Sequence, residues 1–369
     1  MARISETLAW LDTLKPASVP TAPGRLAAFR PGVANPGAIE AFVHIPDGLP
    51  AGAPLVVALH GCTQTASGYD HGTGWSRLAD RAGFAVLLPQ QTRANNGNLC
   101  FNWFEPHDIA RRGGEAESIA ALTEAAIAAH GIDRTRVFVT GLSAGGAMTA
   151  VMLATYPDLF AGGAIFGGLP YGCAASVGEA LARMRGQGHA PDAAATASVK
   201  RASESATPRW PTISLWHGTG DATVNAANMA AIGRQWRGVH ELGATPTDVE
   251  RGANWERARW QGADGRTLVE EWSIAGMGHG VPIDAAGGGG VAGPYMLDVG
   301  IDSTRAIAAV WGLVDAAPAG ERSQGPRDTT PSVAMPRPAA GRAAGWTSGP
   351  AAGVQETIKR ALRSAGLMR

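Results

Sequence analysis

The stretch "RVFVTGLSAGGAMTA" (Arg136–Ala150) joins a β-branched and aromatic run to a run of small helix-forming residues. Between the two runs stands Gly141-Leu142-Ser143-Ala144-Gly145, a Gly-x-Ser-x-Gly pattern. The order predicts a strand that turns sharply into a helix, with one serine at the turn. Glycines on both sides of the serine permit a close backbone approach that a β-carbon would block. The stretch therefore predicts that the Ser143 hydroxyl is presented above the end of a strand.

Other short, nearly continuous apolar runs resemble the one before Ser143. Strands that are apolar on both faces belong in a parallel sheet covered by helices. Helical patterns lie between the runs, and this alternation predicts right-handed crossover units in an α/β fold with a mostly parallel central sheet. The strands predicted from these runs are Pro54–Gly61, Phe84–Gln90, Arg136–Gly141, Ala161–Gly168 and Thr212–Gly218. Arg266–Gly276 alternates less cleanly but fits a late strand. The predicted helices are Trp75–Ala82, Glu115–His130, Ala144–Tyr156, Ala226–Trp236 and Ser303–Val314.

Composition excludes several classes of protein. The chain has 369 residues, of which 45% are hydrophobic and 17% charged, and its formal net charge is +0. Such a balance does not predict a nucleic acid or an anionic membrane as a partner. No stretch approaches the roughly 20 apolar residues that a transmembrane helix needs. The three cysteines, Cys62, Cys100 and Cys173, are too few and too scattered for a disulfide scaffold or a zinc site, so no metal or other cofactor is expected.

The two ends of the chain differ from its centre. Residues 1–35 begin with an amphipathic helical pattern that lacks the features of a secretory signal, which predicts a cytoplasmic protein, although an unusual export route stays open. Residues 36–315 carry the α/β pattern. Residues 316–353 are rich in Pro, Gly and Ala and predict a disordered linker, and residues 354–369 predict a short basic amphipathic helix. That helix is either a solvated tail or a surface-binding segment.

A serine nucleophile needs a base, and the base needs an orienting acid. In α/β-hydrolases the three residues follow in the order Ser, Asp, His. Asp221 in "HGTGDATVN" and His279 in "AGMGHGVP" each follow a predicted strand end, where such sheets place their sites. Asp264 is a rival acid, but "GADGRT" is typical of a hairpin turn. We therefore predict a triad of Ser143, Asp221 and His279.

The tetrahedral intermediate of ester hydrolysis needs two backbone N–H donors, the oxyanion hole. One is predicted to be the amide of Ala144, directly after the nucleophile. The other is predicted in "HGCTQTASGYD", where the Cys62 amide is the best candidate. A cysteine nucleophile at position 62 is the alternative, but Cys62 lacks the strained turn of Ser143.

These stretches together resemble the polyhydroxybutyrate depolymerase family of esterases. The resemblance runs from about Pro36 to Val314, through "ALHGCTQTASGYD", "NLCFNWFEP", "RRGGEAESI", "VFVTGLSAGGAMT", "HGTGDATVN" and "GMGHGVP". It implies an α/β-hydrolase fold and metal-free hydrolysis of short-chain hydroxyalkanoate esters. By position, the family's triad falls on Ser143, Asp221 and His279, and its oxyanion cysteine falls on Cys62.

The chain departs from many secreted members of that family. It has Gly280-Val281 where they have a small residue and tryptophan, and neither a secretion signal nor a polymer-binding module is recognised. These departures favour amorphous polymer, oligomers or small esters over crystalline polymer. Feruloyl and acetylxylan esterases share the same motifs and are the enzymatic alternative. A non-catalytic granule-binding or surface-binding protein on the same scaffold is the alternative of another class.

Three further side chains have alternative roles. Trp103 in "NLCFNWFEP" is predicted either to line the substrate pocket, because an aromatic face suits an apolar ester, or to be a structural loop residue. Cys100 and Cys173 are candidates for a disulfide, whereas a cytoplasmic location favours free thiols.

Overall fold

The computed structural model describes residues 24–204 and 209–315, which build one ten-stranded sheet with helices on both faces. The predicted amphipathic helix near the N-terminus, the 316–353 linker and the 354–369 helix lie outside the described residues. The strands are β1 (Ala27–Ala28), β2 (Glu40–His44), β3 (Leu55–Leu59), β4 (Ala85–Gln90), β5 (Val137–Leu142), β6 (Gly162–Phe166), β7 (Thr212–Gly218), β8 (Asp248–Arg251), β9 (Trp255–Gln261), β10 (Thr267–Ile274), β11 (Val281–Ile283) and β12 (Met296–Asp298). The helices are α1 (Ala66–Thr73), α2 (Trp75–Ala82), α3 (Gly114–His130), α4 (Ala144–Thr155), α5 (Val177–Met184), α6 (Asp192–Ala202), α7 (Ala227–Val239) and α8 (Ser303–Val310).

The strand order across the sheet is β1-β2-β4-β3-β5-β6-β7-β10-β9-β8, and β11 pairs with β12 in a small second sheet. All six predicted strands exist, and they form the central parallel block from β4 to β10. The mostly parallel α/β fold is therefore confirmed. The edges of the sheet are antiparallel: β2 pairs with β4 on one side, and β9 pairs with β10 on the other.

The central strands are mostly apolar because each face packs against helices. Along β3, Leu55, Val57 and Leu59 belong to one buried cluster, and Val56 and Ala58 belong to another. The first cluster contains residues of α3, α4, α6 and α7, and the second contains residues of α1, α2 and α8. Strands covered on both faces have no polar side to present, which explains their continuous apolar sequences.

The edge strands were not predicted because they face solvent. All four residues of β8 are exposed, and β8 and β9 are joined across their ladder by ion pairs such as Arg257–Glu250. Charged side chains on an edge strand also discourage pairing with other chains. Between β9 and β10, Asp264 lies in the predicted hairpin turn, where its carboxylate accepts a hydrogen bond from the Arg266 amide.

Candidate active site

The strand–helix turn at Ser143 has the sharp geometry that its sequence predicts. Ser143 stands between β5 and α4 with φ 59° and ψ −117°, a left-handed conformation that is strained for any residue with a β-carbon. A β-carbon on Gly141 would collide with the Gly145 backbone, and one on Gly145 would collide with the Leu59 and His60 carbonyls. The two glycines therefore allow α4 to start against β5 and against the loop that follows β3.

Asp221 and His279 meet because the loops after β7 and β10 are bonded to each other. The Thr219 amide donates to the Ile274 carbonyl, and the Gly220 amide donates to the Met277 carbonyl. The His279 Nδ1 then lies 2.7 Å from the Asp221 Oδ2. Both side chains are buried, Asp221 to 1% exposure and His279 to 7%. The structure thus brings together the predicted acid and base.

The Asp221 carboxylate is held in its charged form. Burial by itself would raise the pKa of Asp221, but hydrogen bonds from His217 and His279 outweigh burial and lower that pKa well below its ordinary value. Its Oδ1 also accepts the amides of Thr223 and Val224, each at 2.8 Å. A fixed carboxylate orients the His279 ring so that Nδ1 carries the hydrogen and Nε2 is left as the base.

The end of β6 connects Ser143 with His279. The Ser143 amide donates to the Phe166 carbonyl at 2.9 Å. The next residue, Gly167, has φ 50°, and a β-carbon there would lie 3.1 Å from both Nδ1 and Cε1 of His279. A larger residue at position 167 would press on the imidazole. The nucleophile and the base therefore flank the same two-residue segment.

The predicted oxyanion donors lie on the two loops that converge at the turn. Ala144 is the first residue of α4, so its N–H has no intrahelical acceptor. The N-terminal end of α4 also carries the positive end of the helix dipole. Among the residues described, no acceptor is found for the Cys62 amide. Neither N–H group thus has a protein acceptor among the described residues, as a donor to a substrate oxygen requires.

The cysteine pairing differs from the sequence-based expectation. Cys62 and Cys100 form a disulfide with 4.2 Å between their Cα atoms, and Cys173 is the free thiol. The candidate Cys100–Cys173 pair and the expectation of three thiols are therefore both wrong. The reason is topological: β3 and β4 are parallel neighbours, so the loops that follow them meet at one edge of the sheet. Cys62 has no free thiol with which to act as a nucleophile.

His60 orients the peptide that carries the Cys62 amide. Its Nδ1 lies 2.8 Å from the Gly61 carbonyl oxygen, while its Nε2 accepts the Gln91 amide at 3.1 Å. Because Nε2 accepts, the hydrogen stands on Nδ1 and is donated to Gly61. Burial lowers the pKa of His60 to about 4, so the ring is neutral at pH 7. The Gly61 carbonyl and the Cys62 N–H share one planar peptide, so this contact fixes the direction of the N–H.

Glu115, at the start of α3, anchors the other half of the disulfide. Its carboxylate accepts the Asn102 amide at 2.8 Å and the Gln91 side chain at 2.5 Å, and Gln91 also donates to the Cys100 carbonyl. Burial raises the pKa of Glu115 to about 8, against the effect of these hydrogen bonds. The network joins the start of α3 to the loop after β4, and the Gln91 amide connects it to His60 after β3, without any contact to the reacting atoms.

Trp103 lies in a small apolar cluster beside Ser143. The Trp103 side chain is 8% exposed and its ring meets Phe104 edge-on, with 5.2 Å between centroids. The same cluster contains Ala144, next to the nucleophile, and Val224, whose amide binds Asp221. Its buried members are Trp103, Ala144, Ala147, Leu169, Ala174, Ala180 and Val224. This buried cluster, here called the apolar wall, lies beside Ser143 and Asp221.

Strained backbone is concentrated around the site. Of the seven described non-glycine residues with positive φ, four belong here: Thr63, Leu99, Ser143 and Tyr295. Thr63 follows Cys62, Leu99 precedes Cys100, and the Tyr295 ring meets the His279 ring edge-on at 6.2 Å. Such strain is retained where the surrounding structure enforces it, commonly at functional sites. Sequence analysis missed Tyr295, and no local pattern would have identified it.

We expect Cys62→Ser and Cys100→Ser to behave alike. Each breaks the same disulfide, across 38 residues, and each should lower the free energy of unfolding by about 2–4 kcal/mol. Both should retain substantial esterase activity, because the position 62 amide is a backbone group. The measurements are chemical denaturation and kcat/KM on a soluble ester. If Cys62→Ser were inactive while Cys100→Ser remained active, the Cys62 side chain would be chemically required.

The chain matches the family model described as esterase PHB depolymerase over residues 41–252. It is 46% identical over 285 residues to poly(3-hydroxyalkanoate) depolymerase C of Paucimonas lemoignei, a match that covers 76% of this chain and 68% of that protein. It is 33% identical over 273 residues to an acetylxylan esterase of Coprinopsis cinerea, covering 70% of each.

Among solved structures, the acetyl xylan esterase of Aspergillus awamori superposes with a TM-score of 0.66 at 26% identity. That match covers 79% of this chain and all of the other. The fold is therefore that of the α/β-hydrolases, and the relatives are carboxylic ester hydrolases. From the family match and the 46% identity, the chain belongs to the PHB depolymerase family of esterases.

Proposed function

We propose that this protein is a serine esterase that cleaves short-chain hydroxyalkanoate esters, in amorphous polymer, oligomers or small esters, through Ser143, His279 and Asp221. The observation that carries the proposal is the buried hydrogen bond between His279 Nδ1 and Asp221 Oδ2, adjacent to the strained Ser143 turn. The 46% identity to a poly(3-hydroxyalkanoate) depolymerase supports the substrate class.

The proposed mechanism passes through an acyl-enzyme. The Ser143 hydroxyl attacks the ester carbonyl while His279 Nε2 takes its proton, and Asp221 stabilises the imidazolium. The Cys62 and Ala144 amides bind the oxygen on which negative charge develops. His279 then gives its proton to the leaving alcohol. Water, activated by the same imidazole, attacks the acyl-enzyme and frees Ser143.

The apolar wall beside Ser143 favours an apolar acyl group. The wall includes Trp103, here proposed to contact substrate, and Leu169 and Val224. Its other buried members are alanines at positions 144, 147, 174 and 180, so the cluster supplies apolar packing on this side of the site. A short hydroxyalkanoyl unit has a matching apolar chain.

A carbohydrate-linked acetyl or feruloyl esterase is the second candidate. It is favoured by the acetylxylan esterase relative at 33% identity and by the superposition on an acetyl xylan esterase. A non-catalytic binding protein is not favoured, because such a protein would have no use for a strained serine beside a buried Asp–His pair.

Comparing kcat/KM across substrates tests the proposal. The panel comprises p-nitrophenyl acetate and butyrate, methyl ferulate, acetylated xylan and soluble 3-hydroxybutyrate oligomers, with amorphous polymer film as the insoluble substrate. We expect turnover of the p-nitrophenyl esters and release of hydroxybutyrate units from oligomers. A preference for acetylated xylan or methyl ferulate over the oligomers would favour the second candidate. No turnover of any ester would contradict both.

The Cys62–Cys100 disulfide indicates the kind of compartment in which the protein acts. Disulfides form and persist in oxidising compartments and are rare in the cytosol. The Cys62–Cys100 bond therefore favours secretion over the cytoplasmic location expected from the sequence. In the part of the chain that the structure describes, no helix has the length and apolar character needed to cross a membrane.

The segment after Asp315 is proposed to contact polymer or granule surfaces through the basic residues of 354–369, a stretch that its sequence predicts to be a helix. Truncation after Asp315 is expected to change turnover of soluble p-nitrophenyl esters by no more than a few-fold, because the proposed catalytic residues end at His279. The same truncation should weaken binding to a hydrophobic polymer film, measured by sedimentation. An equal loss in both assays would place residues after 315 in the folded core, and no loss in either would exclude the surface contact.

A further inference from the structure

His217 lies beside the Asp221 carboxylate and has no role in the mechanism above. It is the penultimate residue of β7, and its side chain is only 2% exposed. Its Nε2 lies 2.8 Å from the Val224 carbonyl oxygen. Because a carbonyl only accepts hydrogen bonds, this distance requires that Nε2 carries the hydrogen.

The same nitrogen also faces the catalytic acid. His217 Nε2 lies 3.3 Å from the Asp221 Oδ2, the oxygen that binds His279 Nδ1. One carboxylate oxygen thus lies between two imidazoles, while the other oxygen accepts two backbone amides. The Val224 residue that accepts from His217 also donates its own amide to Asp221.

We propose that His217 is a positioning residue for ester hydrolysis, whose shared Nε2–H holds the Asp221 carboxylate in place and offsets part of its negative charge. The inference rests on the proposed function, since it gives His217 a role only through Asp221 and His279. The charged or titratable neighbours of Asp221 among the described residues are these two histidines, and Tyr295 lies against the other side of His279.

The electrostatic effect of removing the His217 N–H has a predictable direction. Without His217, less of the Asp221 charge is compensated, so the carboxylate attracts a protonated His279 more strongly. Protonated His279 cannot accept the Ser143 proton. The acid limb of the pH profile of kcat/KM should therefore move to higher pH, a change that a purely structural loss would not produce.

The experiment compares His217→Leu, which removes the donor, with His217→Gln, which keeps an N–H of similar reach. For His217→Leu we expect the acid-limb midpoint to rise by roughly half to one pH unit and kcat/KM at the optimum to fall about 10- to 100-fold. His217→Gln should return the midpoint close to that of the unchanged protein. An unmoved midpoint in folded His217→Leu would overturn the inference, even where activity falls.

A second measurement does not depend on the folding of a His217 variant. In protein labelled with ¹⁵N-histidine, the Nε2–H resonance of His217 should shift when Asp221 is replaced by Asn. An unchanged resonance would show that His217 Nε2–H donates to the Val224 carbonyl alone, and it would overturn the inference. Failure of the proposed function would be distinguished from failure of this inference, because Ser143→Ala would then retain activity.

Discussion

Ser143→Ala is expected to lower kcat by about three orders of magnitude or more while the protein stays folded. Ala keeps the β-carbon that already stands at φ 59°, so the backbone strain is the same and only the nucleophilic oxygen is lost. The measurements are kcat on p-nitrophenyl butyrate and the thermal unfolding midpoint. Labelling of the unchanged protein with a fluorophosphonate, read by mass spectrometry, should modify Ser143 alone.

Cys173→Ala is the matched control, because Cys173 is the free thiol of the described chain. Burial raises the pKa of Cys173 to about 12, which leaves almost no thiolate at neutral pH. This variant should keep its activity and its labelling. Retained activity in Ser143→Ala, or a label on another residue, would contradict the assignment of Ser143 as nucleophile.

Asp221→Asn should reduce kcat/KM by about three to four orders of magnitude at pH 7, the scale seen when a triad acid becomes an amide. Oδ1 accepts the amides of Thr223 and Val224, so the oxygen of the new side chain should remain there. Its NH2 group then faces His279 Nδ1 and can only donate to it. The imidazole hydrogen is driven to Nε2, where the ring cannot take the Ser143 proton.

Asp264→Asn provides the comparison for this variant, since Asp264 is the rival acid in the β9–β10 turn. It is exposed and binds the Arg266 amide, so its replacement should leave kcat/KM within about two-fold of the original, as for other surface changes. A large loss in Asp264→Asn with an active Asp221→Asn would reverse the assignment of the acid.

The central strands were predictable because their burial leaves a pattern in residues that are adjacent in the sequence. Five of the six central strands are buried almost throughout and produce nearly continuous apolar runs, and Thr212–Gly218 has the bounds that its sequence predicts. The edge strands were not predictable in this way. The strand β8, with the sequence "DVER", pairs with a neighbour on one side only. Its residues face solvent, so its sequence shows no burial pattern.

The candidate site also has a part that could be predicted from the sequence and a part that could not. Ser143, Asp221 and His279 each follow a strand end in a glycine-rich loop, so their positions along the chain predict that they converge. The Cys62–Cys100 bond could not be predicted from spacing, because it depends on β3 and β4 being neighbours in the sheet. In the sequence, His217 is an ordinary strand residue. Only the fold brings its Nε2 close to Asp221.

The parallel α/β core and the turn at Ser143 followed from the sequence, since burial periodicity and glycine placement act over a few residues. The family of the chain was recognisable from the resemblance of its motifs. Only the tertiary structure decided which cysteines pair, which peptide His60 orients and which second histidine reaches Asp221. Those contacts join residues from different loops, and their distances depend on strand order and register. No stretch of sequence carries that information, because a side chain's partner across the sheet is set by packing of the whole domain.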